Sequence, residues 1–263
     1  MIYYASSDWL PTDNNPFSYN GEYDDKWSAF IYDTEAKYYT QIEARAKLFT
    51  IRVSSKMDKD YERLIDFINY ETKYNRNIII KADIEVMHII DNLSIVEQNR
   101  NKIRKTDTRW CVHSTTIDSW EKIKKDKFLF SPDELRKRGN IINEIGLKHY
   151  LEPKDYSEYI MLDTLNGCGE LVVNSRQLGY VCTNGDMVYT PGARLYFDAY
   201  KMIEDGLVER DGLHILKVEK QLSLEKYLVM VVTENMALDK KNWTPTSYTE
   251  WANNYFLKYV ENI

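Results

Sequence analysis

The second half of the chain is a succession of short apolar runs, and this feature limits the possible folds more than any other. Glycines separate the runs, and short apolar runs bounded by glycine predict β-strands. The predicted strands are Tyr159–Leu162, Leu171–Val173, Tyr180–Cys182, Arg194–Phe197, 213–218 and 227–232. Helices are predicted over 119–125, from Pro132 and over 247–260, where apolar residues follow helix-start signals or helical spacing. This mixture predicts an α+β domain.

The first half predicts a second, mixed and helix-containing domain. Residues 1–30 carry prolines and asparagines among aromatic residues and predict an irregular lead-in. Alternating residues over 48–53 and the apolar run Ile78–Ile80 predict strands, whereas helical spacing predicts helices over 58–75 and 84–103. The polar, basic stretch 99–109 has no periodicity. It predicts a boundary between an N-terminal domain, 1–105, and a C-terminal domain, 106–263.

Composition excludes several classes of protein. The 263 residues are 43% hydrophobic, enough for a core, and the net charge of −6 gives no general attraction to nucleic acid. The three cysteines form no CxxC pair, which argues against a disulfide framework and against a zinc site. No apolar run approaches the roughly 20 residues that cross a bilayer. With no signal peptide visible, the expected location is the cytoplasm, without a membrane partner.

A lone histidine among hydroxyl residues is the strongest candidate for a ligand site. His113 stands at the end of a predicted strand, followed by Ser114, Thr115 and Thr116, and a helix begins just after them. Imidazole and hydroxyl groups supply donors and acceptors at a spacing that suits sugar hydroxyls. The chain contains no Walker loop, no GxSxG and no GxGxxG motif. The pattern therefore favours ribose binding by side chains of a strand end.

Three segments of the C-terminal half together resemble the ADP-ribosyltransferase superfamily, and most closely its NAD-dependent RNA 2'-phosphotransferase branch. The first is His113-Ser114-Thr115 with the helix behind it, the second runs from Arg194 to Gly206, and the third runs from Asp211 to Leu228. Their order and spacing agree over roughly 120 residues. The resemblance implies a split antiparallel β-sheet with NAD, as substrate, held between two small sheets.

The resemblance also implies roles for individual residues. His113 would bind the adenosine-side ribose, and Tyr180 or Tyr189 would stack on nicotinamide. Polar walls and phosphate-binding arginines would come from Ser114, Thr115, Ser131, Arg194, Arg176, Arg136 and Arg138. The guanidinium group suits phosphate because its planar fork matches two oxygens.

One position departs from the pattern of the superfamily. Members that modify proteins or DNA usually carry a glutamate on a late strand, and the matching residue here is His214. Glu209 lies near it in sequence without aligning to it, as do Asp211 and Glu219. The RNA phosphotransferases also lack that glutamate. The catalytic candidates are therefore His113, Arg176, His214 and Glu209, and no metal is expected.

The function implied is a transferase of the glycosyltransferase type that moves ADP-ribose from NAD to a macromolecular acceptor, either nucleic acid or protein. The N-terminal domain would select the acceptor. Many bacterial and phage members of the superfamily act as toxins or in defence, so an antitoxin or inhibitor protein is a further possible partner. Three alternatives stay open: RNA 2'-phosphotransferase-like activity, a non-catalytic NAD- or ADP-ribose-binding module, and a partner-binding protein that uses the tyrosine-rich first half.

Overall fold

The computed structural model describes residues 1–12, 14–33, 40–45, 47–54, 56, 58, 61–92, 101–142, 151–238 and 242–262. The chain forms two units. The first comprises Met1–Asn99, Gly146–Tyr156 and Arg210–His214, and the second comprises Arg100–Ile145, Ser157–Glu209 and Ile215–Ile263. The predicted boundary between residues 105 and 106 lies close to the first division between the units. The two short later segments that belong to the first unit have no counterpart in the sequence prediction.

The first unit is built on a five-stranded sheet in the order β1-β5-β2-β4-β3. Its strands are β1 (Ile2–Tyr4), β2 (Trp27–Asp33), β3 (Thr40–Arg45), β4 (Leu48–Ser54) and β5 (Asn77–Lys81). Neighbouring strands are parallel except for β3, which runs antiparallel to β4 at the edge. The predicted strands at 48–53 and 78–80 are confirmed. The prediction of an irregular lead-in over residues 1–30 is wrong for β1 and for the start of β2. Pairing with β5 orders these residues, although their sequence shows no strand pattern.

Two helices of the first unit match predicted ones in part. α1 (Glu62–Lys73) confirms the helix expected over 58–75 and buries Leu64 and Phe67. α2 (Ile84–Asn92) confirms the first part of the helix predicted over 84–103. Residues 93–100 lie outside the described residues, and 101–103 are not helical.

Polar side chains of α1 and of the residues after it hold the two short segments within the first unit. Arg76 Nη1 lies 2.6 Å from Asp155 Oδ1, and Tyr70 OH donates to Asp155 Oδ2 at 2.5 Å. Arg63 Nη1 donates to the carbonyl of Gly212 at 2.8 Å. Burial of such charges is favourable only when each has a partner. The partners in these pairs are far apart in sequence, so the first unit includes residues from both halves of the chain.

The second unit contains two three-stranded antiparallel sheets, in the orders β13-β9-β6 and β10-β11-β8, and a two-stranded ribbon of β7 and β12. The strands are β6 (Trp110–Thr115), β7 (Phe128–Phe130), β8 (Tyr159–Leu162), β9 (Ala193–Asp198), β10 (Val208–Glu209), β11 (Leu216–Glu219), β12 (Gln221–Ser223) and β13 (Leu228–Thr233). The strands predicted near 159–162, 194–197 and 227–232 are confirmed. The strand predicted over 213–218 begins only at Leu216, because residues up to His214 belong to the first unit.

Four of the six α-helices described in the second unit begin at hydroxyl residues that cap them. The six are α3 (Ile117–Asp126), α4 (Pro132–Lys137), α5 (Cys168–Leu178), α6 (Ala199–Glu204), α7 (Leu224–Tyr227) and α8 (Pro245–Val260). Thr116 and Ser131 cap α3 and α4 by accepting a backbone N–H, and Thr244 forms a capping box at the start of α8. The three helices predicted in this half of the chain are confirmed.

Two predicted strands of the second half are wrong. Leu171–Val173 lies inside α5, and residues 180–182 form no strand. A run of three apolar residues fits a buried helix turn as well as a strand, so periodicity cannot separate the two. Gly179, with a φ of 77°, ends α5 in the left-handed conformation that glycine adopts without strain.

The core of the second unit lies on both faces of the sheet that contains β9. Leu195 and Phe197 pack on one face with Cys111, whereas Tyr196 packs on the other face with Phe256 of α8. This alternation follows from the two-residue period of a strand. The fold is therefore mixed α and β with several sheets, as expected at this coarse level. Among the described residues, no helix is long and apolar enough to cross a membrane.

Candidate functional site

β6 connects the two three-stranded sheets of the second unit near its middle. The N–H of Val112 donates to the carbonyl of Asp163 at 2.8 Å, and the N–H of Asp163 donates back at 3.1 Å. In the described part of the chain, ladder pairing between β6 and β8 goes no further, so the two sheets diverge beyond this point. The next residue, His113, is half-buried, and its Nδ1 lies 3.2 Å from the carbonyl oxygen of Met161 on β8. The imidazole thus lies where the sheets separate.

The contact with Met161 determines which nitrogen of His113 carries the proton. A carbonyl only accepts, so Nδ1–H donates to it and Nε2 of the neutral ring is left as an acceptor. Burial lowers the pKa of His113 to about 4, assisted by the positive charge of Arg176 and opposed by the hydrogen bond to Met161. The ring is therefore neutral near pH 7. A neutral Nε2 acceptor suits a hydroxyl donor such as a ribose.

The backbone of Ser114 adds a donor and an acceptor at the same edge of β6. Backbone groups two residues apart on a strand point to the same side, and those of Val112 point toward β8. The N–H and C=O of Ser114 therefore point to the edge that β8 has left. Among the described residues, neither joins a strand ladder on that edge. A donor and an acceptor side by side match a primary carboxamide.

Among the arginines expected to bind phosphate, Arg176 is the one whose charge affects the pKa of His113. It lies in the last turn of α5 with an exposed side chain, and its charge lowers the pKa of the His113 ring. The guanidinium group is therefore within electrostatic range of the imidazole. An anionic group bound beside His113 would be attracted to it.

Arg194 and the Ser114 hydroxyl lie on the opposite face of the sheet from His113. Arg194 is fully buried, with Nη1 3.1 Å from Glu170 Oε1, and Ser114 Oγ donates to the same oxygen at 2.5 Å. Tyr189 OH donates to the other Glu170 oxygen. This corrects the expectation that Arg194, Ser114 and Tyr189 face NAD with their side chains. Consecutive residues of a strand point to opposite faces, and burial commits these groups to an internal ion pair.

Residues of α8 and of the segment before α5 complete this internal network. Arg194 Nη2 donates to the carbonyl of Asn166 at 2.7 Å, and its Nε lies 3.2 Å from the Tyr196 hydroxyl. Tyr196 OH in turn donates to Asn253 Oδ1 at 3.0 Å. The network therefore fixes the back of the sheet, behind the strand that carries His113.

Three other predicted residues have different surroundings. Ser131 is fully buried and accepts the N–H of Glu134 at the start of α4, so its role is capping and not ligand binding. Thr115 is buried at the end of β6, against Gly192. Tyr180 is half-exposed in the segment after α5 and is free of such packing. Of the two tyrosines predicted to stack on nicotinamide, only Tyr180 presents its ring to solvent.

His214 and Glu209 are the catalytic candidates of the late segment. His214 belongs to the first unit, where its Nδ1 lies 3.2 Å from Asp211 Oδ2 and its ring meets that of Tyr156 edge to face. Glu209 belongs to the second unit and lies on β10 opposite Lys217 of β11. The structure therefore assigns the two candidates to different units.

Met161 and Glu170 each make a decisive contact that the sequence does not predict. The carbonyl of Met161 orients His113, and a backbone group leaves no signal in a sequence. Glu170 has a weak signal, since a glutamate that opens the apolar run Leu171–Val173 is unusual unless it is paired. Its partner Arg194 is 24 residues away, so only the fold reveals the pair.

No cluster of three potential metal ligands occurs among the described residues. Comparisons with protein-family models, with curated proteins and with solved structures found no match.

Proposed function

We propose that the protein binds NAD at the edge of β6 and transfers its ADP-ribose to a macromolecular acceptor. The observation that carries this proposal is the neutral His113 at the divergence of two antiparallel sheets. Its Nδ1 is held by Met161, which leaves Nε2 to accept a ribose hydroxyl. The resemblance to ADP-ribosyltransferases assigns ribose binding to the same histidine.

The Ser114 backbone, which joins no ladder on this edge among the described residues, and the charge of Arg176 support the same ligand. Nicotinamide carries a primary carboxamide, which can accept from the Ser114 N–H and donate to its C=O. The pyrophosphate of NAD is anionic, and the exposed Arg176 lies within electrostatic range of His113. A ribose, a carboxamide and an anion are therefore each matched by a group near one strand edge.

In this proposal the protein acts mainly by holding NAD in a reactive geometry. Departure of nicotinamide breaks the bond between its ring nitrogen and the ribose, and positive charge develops at the ribose carbon. Rigid contacts to the ribose and the carboxamide position both sides of that bond. An acceptor nucleophile then forms a bond to the ribose carbon and loses its proton.

The test is NAD binding and nicotinamide release by His113→Ala. Loss of one neutral hydrogen bond should weaken NAD binding about tenfold by calorimetry, with little change in melting temperature. His88→Ala removes an exposed histidine of α2 in the first unit and is the matched control. Release of labelled nicotinamide in the presence of mixed RNA, DNA and protein measures the transfer.

Each outcome is distinct. Binding without nicotinamide release would replace the transferase by a non-catalytic NAD-binding module. Equal binding by the wild type and His113→Ala, or no binding at all, would contradict the proposed site.

A further inference from the structure

One face of the β7–β12 ribbon presents two aromatic rings beside polar side chains. Leu129 and Leu222 pair across the ribbon and are buried in the core. The alternating residues Phe128 and Phe130 therefore lie on the opposite face, together with Gln221 and Ser223. The two rings are stacked side by side, with centroids 6.0 Å apart and planes inclined by 29°. These four residues define the β7–β12 face.

An exposed guanidinium group lies over this face. Arg138 Cζ is 3.7 Å from the ring centroid of Phe130, which is a direct cation–π contact. Within the described ranges, no carboxylate lies within ion-pair distance of Arg138. Arg136, two residues earlier, differs: its Nη1 is 2.5 Å from Asp133. Arg138 thus keeps its charge and the outer side of its plane available.

A second cation borders the face. Lys127 immediately precedes Phe128, is exposed, and adopts a left-handed backbone with a φ of 60° that ends α3. Lys220 lies just before β12 but pairs with Glu219 at 2.6 Å. Arg138 and Lys127 therefore place positive charge beside two aromatic rings, with the Glu134 carboxylate within electrostatic range of Arg138.

We propose that the β7–β12 face binds single-stranded nucleic acid. One base stacks on Phe128 and a neighbouring base stacks on the outer side of Arg138, while Arg138 and Lys127 contact the adjacent phosphate. Aromatic rings and guanidinium planes bind unpaired bases in this way, and a base within a duplex offers no such face. The inference deepens the proposed function, on which it rests for the existence of a macromolecular acceptor, and it specifies that acceptor.

The net charge of the chain limits the size of the contact. At −6, the protein as a whole repels a polyanion, so binding must rest on a few local contacts. Each phosphate contact on a single strand contributes about −0.7 to the slope of log affinity against log salt. One or two contacts therefore predict a shallow slope, between about −0.7 and −1.4.

The experiment measures fluorescence anisotropy of labelled hexanucleotides with the full-length protein and without NAD. Oligonucleotides of RNA and of DNA are compared, with AMP as a competitor. Arg138→Gln removes the charge and the plane, Arg138→Lys keeps the charge alone, and Phe128→Leu removes a ring while it keeps an apolar side chain. Arg136→Gln is the matched control on the same helix end. NAD affinity is measured for every variant.

We expect Arg138→Gln to weaken oligonucleotide binding about tenfold, the loss of one stacked base, and Arg136→Gln to leave it unchanged. The NAD affinity of Phe128→Leu should not change, because Phe128 has no place in the proposed NAD site, and this separates the inference from that site. Intermediate binding by Arg138→Lys, an exposed substitution, supports stacking even if Phe128→Leu fails to fold.

Three results would overturn the inference. One is equal oligonucleotide binding by Arg138→Gln and Arg136→Gln. Another is competition by AMP as strong as by the hexanucleotide, which would assign the face to free nucleotides. The third is a loss of NAD binding in Arg138→Gln with unchanged oligonucleotide binding, which would assign the face to the NAD base.

Discussion

At the scale of single residues, His113 shows how one carbonyl sets the chemistry of an imidazole. The Met161 oxygen fixes the tautomer, and burial together with Arg176 keeps the ring neutral. A protonated ring would present two donors and could no longer accept from a hydroxyl. The pKa of about 4 therefore keeps the same acceptor available at every pH near neutrality.

This pKa predicts how stability depends on pH. The folded pKa of His113, about 4, lies below its ordinary value of 6.5, so the unfolded chain binds the proton first as the pH falls. Stability should decrease from pH 6.5 to 4 and should not change above pH 6.5 through this group. His113→Asn, whose amide can still donate to Met161, should lose less stability over that range. Urea unfolding at pH 7 and pH 4.5 measures the difference, and a pH-independent difference would contradict the assignment.

The Glu170–Arg194 pair gives a second prediction at this scale. Both side chains are fully buried, so removing one charge leaves the other without compensation. Glu170→Gln should lower the free energy of unfolding by about 3–5 kcal/mol. Arg136→Gln breaks an exposed pair and should cost less than about 1 kcal/mol. Denaturant unfolding checks both values. If the two variants were equally stable, the pair would have no structural role.

At the scale of elements, the two faces and the edge of β6 make different contacts. The face with Ser114 Oγ packs against α5 and carries the internal network. The His113 ring and the Ser114 backbone edge, which joins no ladder on that side among the described residues, are the groups that the proposed NAD site uses. Beyond Val112, β6 is paired with β9 on one side only, and its other edge is therefore not part of a strand ladder in the part of the chain that the structure describes.

The close approach of β6 to the start of β9 predicts a steric requirement at Gly192. A Cβ at this position would lie 1.8 Å from the carbonyl oxygen of Thr115. Gly192→Ala should therefore force the strands apart and cost about 3 kcal/mol or more. Gly139→Ala is the control, because its φ of 80° is strained for alanine but nothing lies within 4 Å. It should cost about 1–2 kcal/mol. Thermal unfolding of the two variants compares them, and equal melting temperatures would contradict the steric argument.

At the scale of the whole molecule, the two units are interleaved along the chain. The chain passes between them five times, at 99/100, 145/146, 156/157, 209/210 and 214/215. Asp155 and Asp211 come from the second half of the sequence but are buried in the first unit. Cutting the chain once therefore cannot separate the units.

This interleaving predicts that the fragment 106–263 does not fold as an independent domain. It would lack Arg76 and Tyr70, the partners of Asp155. A carboxylate that has lost its partners must become exposed or protonated, and the segments around it lose their packing. Circular dichroism should show a melting temperature far below that of the full chain, or no cooperative transition. Cooperative melting of the fragment at the temperature of the full chain would show that the second unit is autonomous.

Much of the element content could be predicted from local pattern. The helix cap at Ser131, the alternation over 48–53 and the strands at 159–162 and 194–197 are all local signals, and the structure confirms the elements. The failures share a cause. Leu171–Val173 was too short to separate helix from strand, and β1 is ordered by pairing with β5, 75 and more residues away.

The candidate site divides in the same way. The sequence by itself determined that a strand carries His113 and that a helix follows after hydroxyl residues, because strand and cap signals act over a few positions. The strand end predicted at His113 is two residues early, since β6 continues to Thr115. Only the tertiary structure decided that Met161 orients the ring, that Arg194 turns inward to Glu170, and that His214 belongs with the first unit. These outcomes depend on which face each strand buries and on which distant charges meet. Both depend on contacts between residues that are far apart in sequence, and neighbouring residues do not determine them.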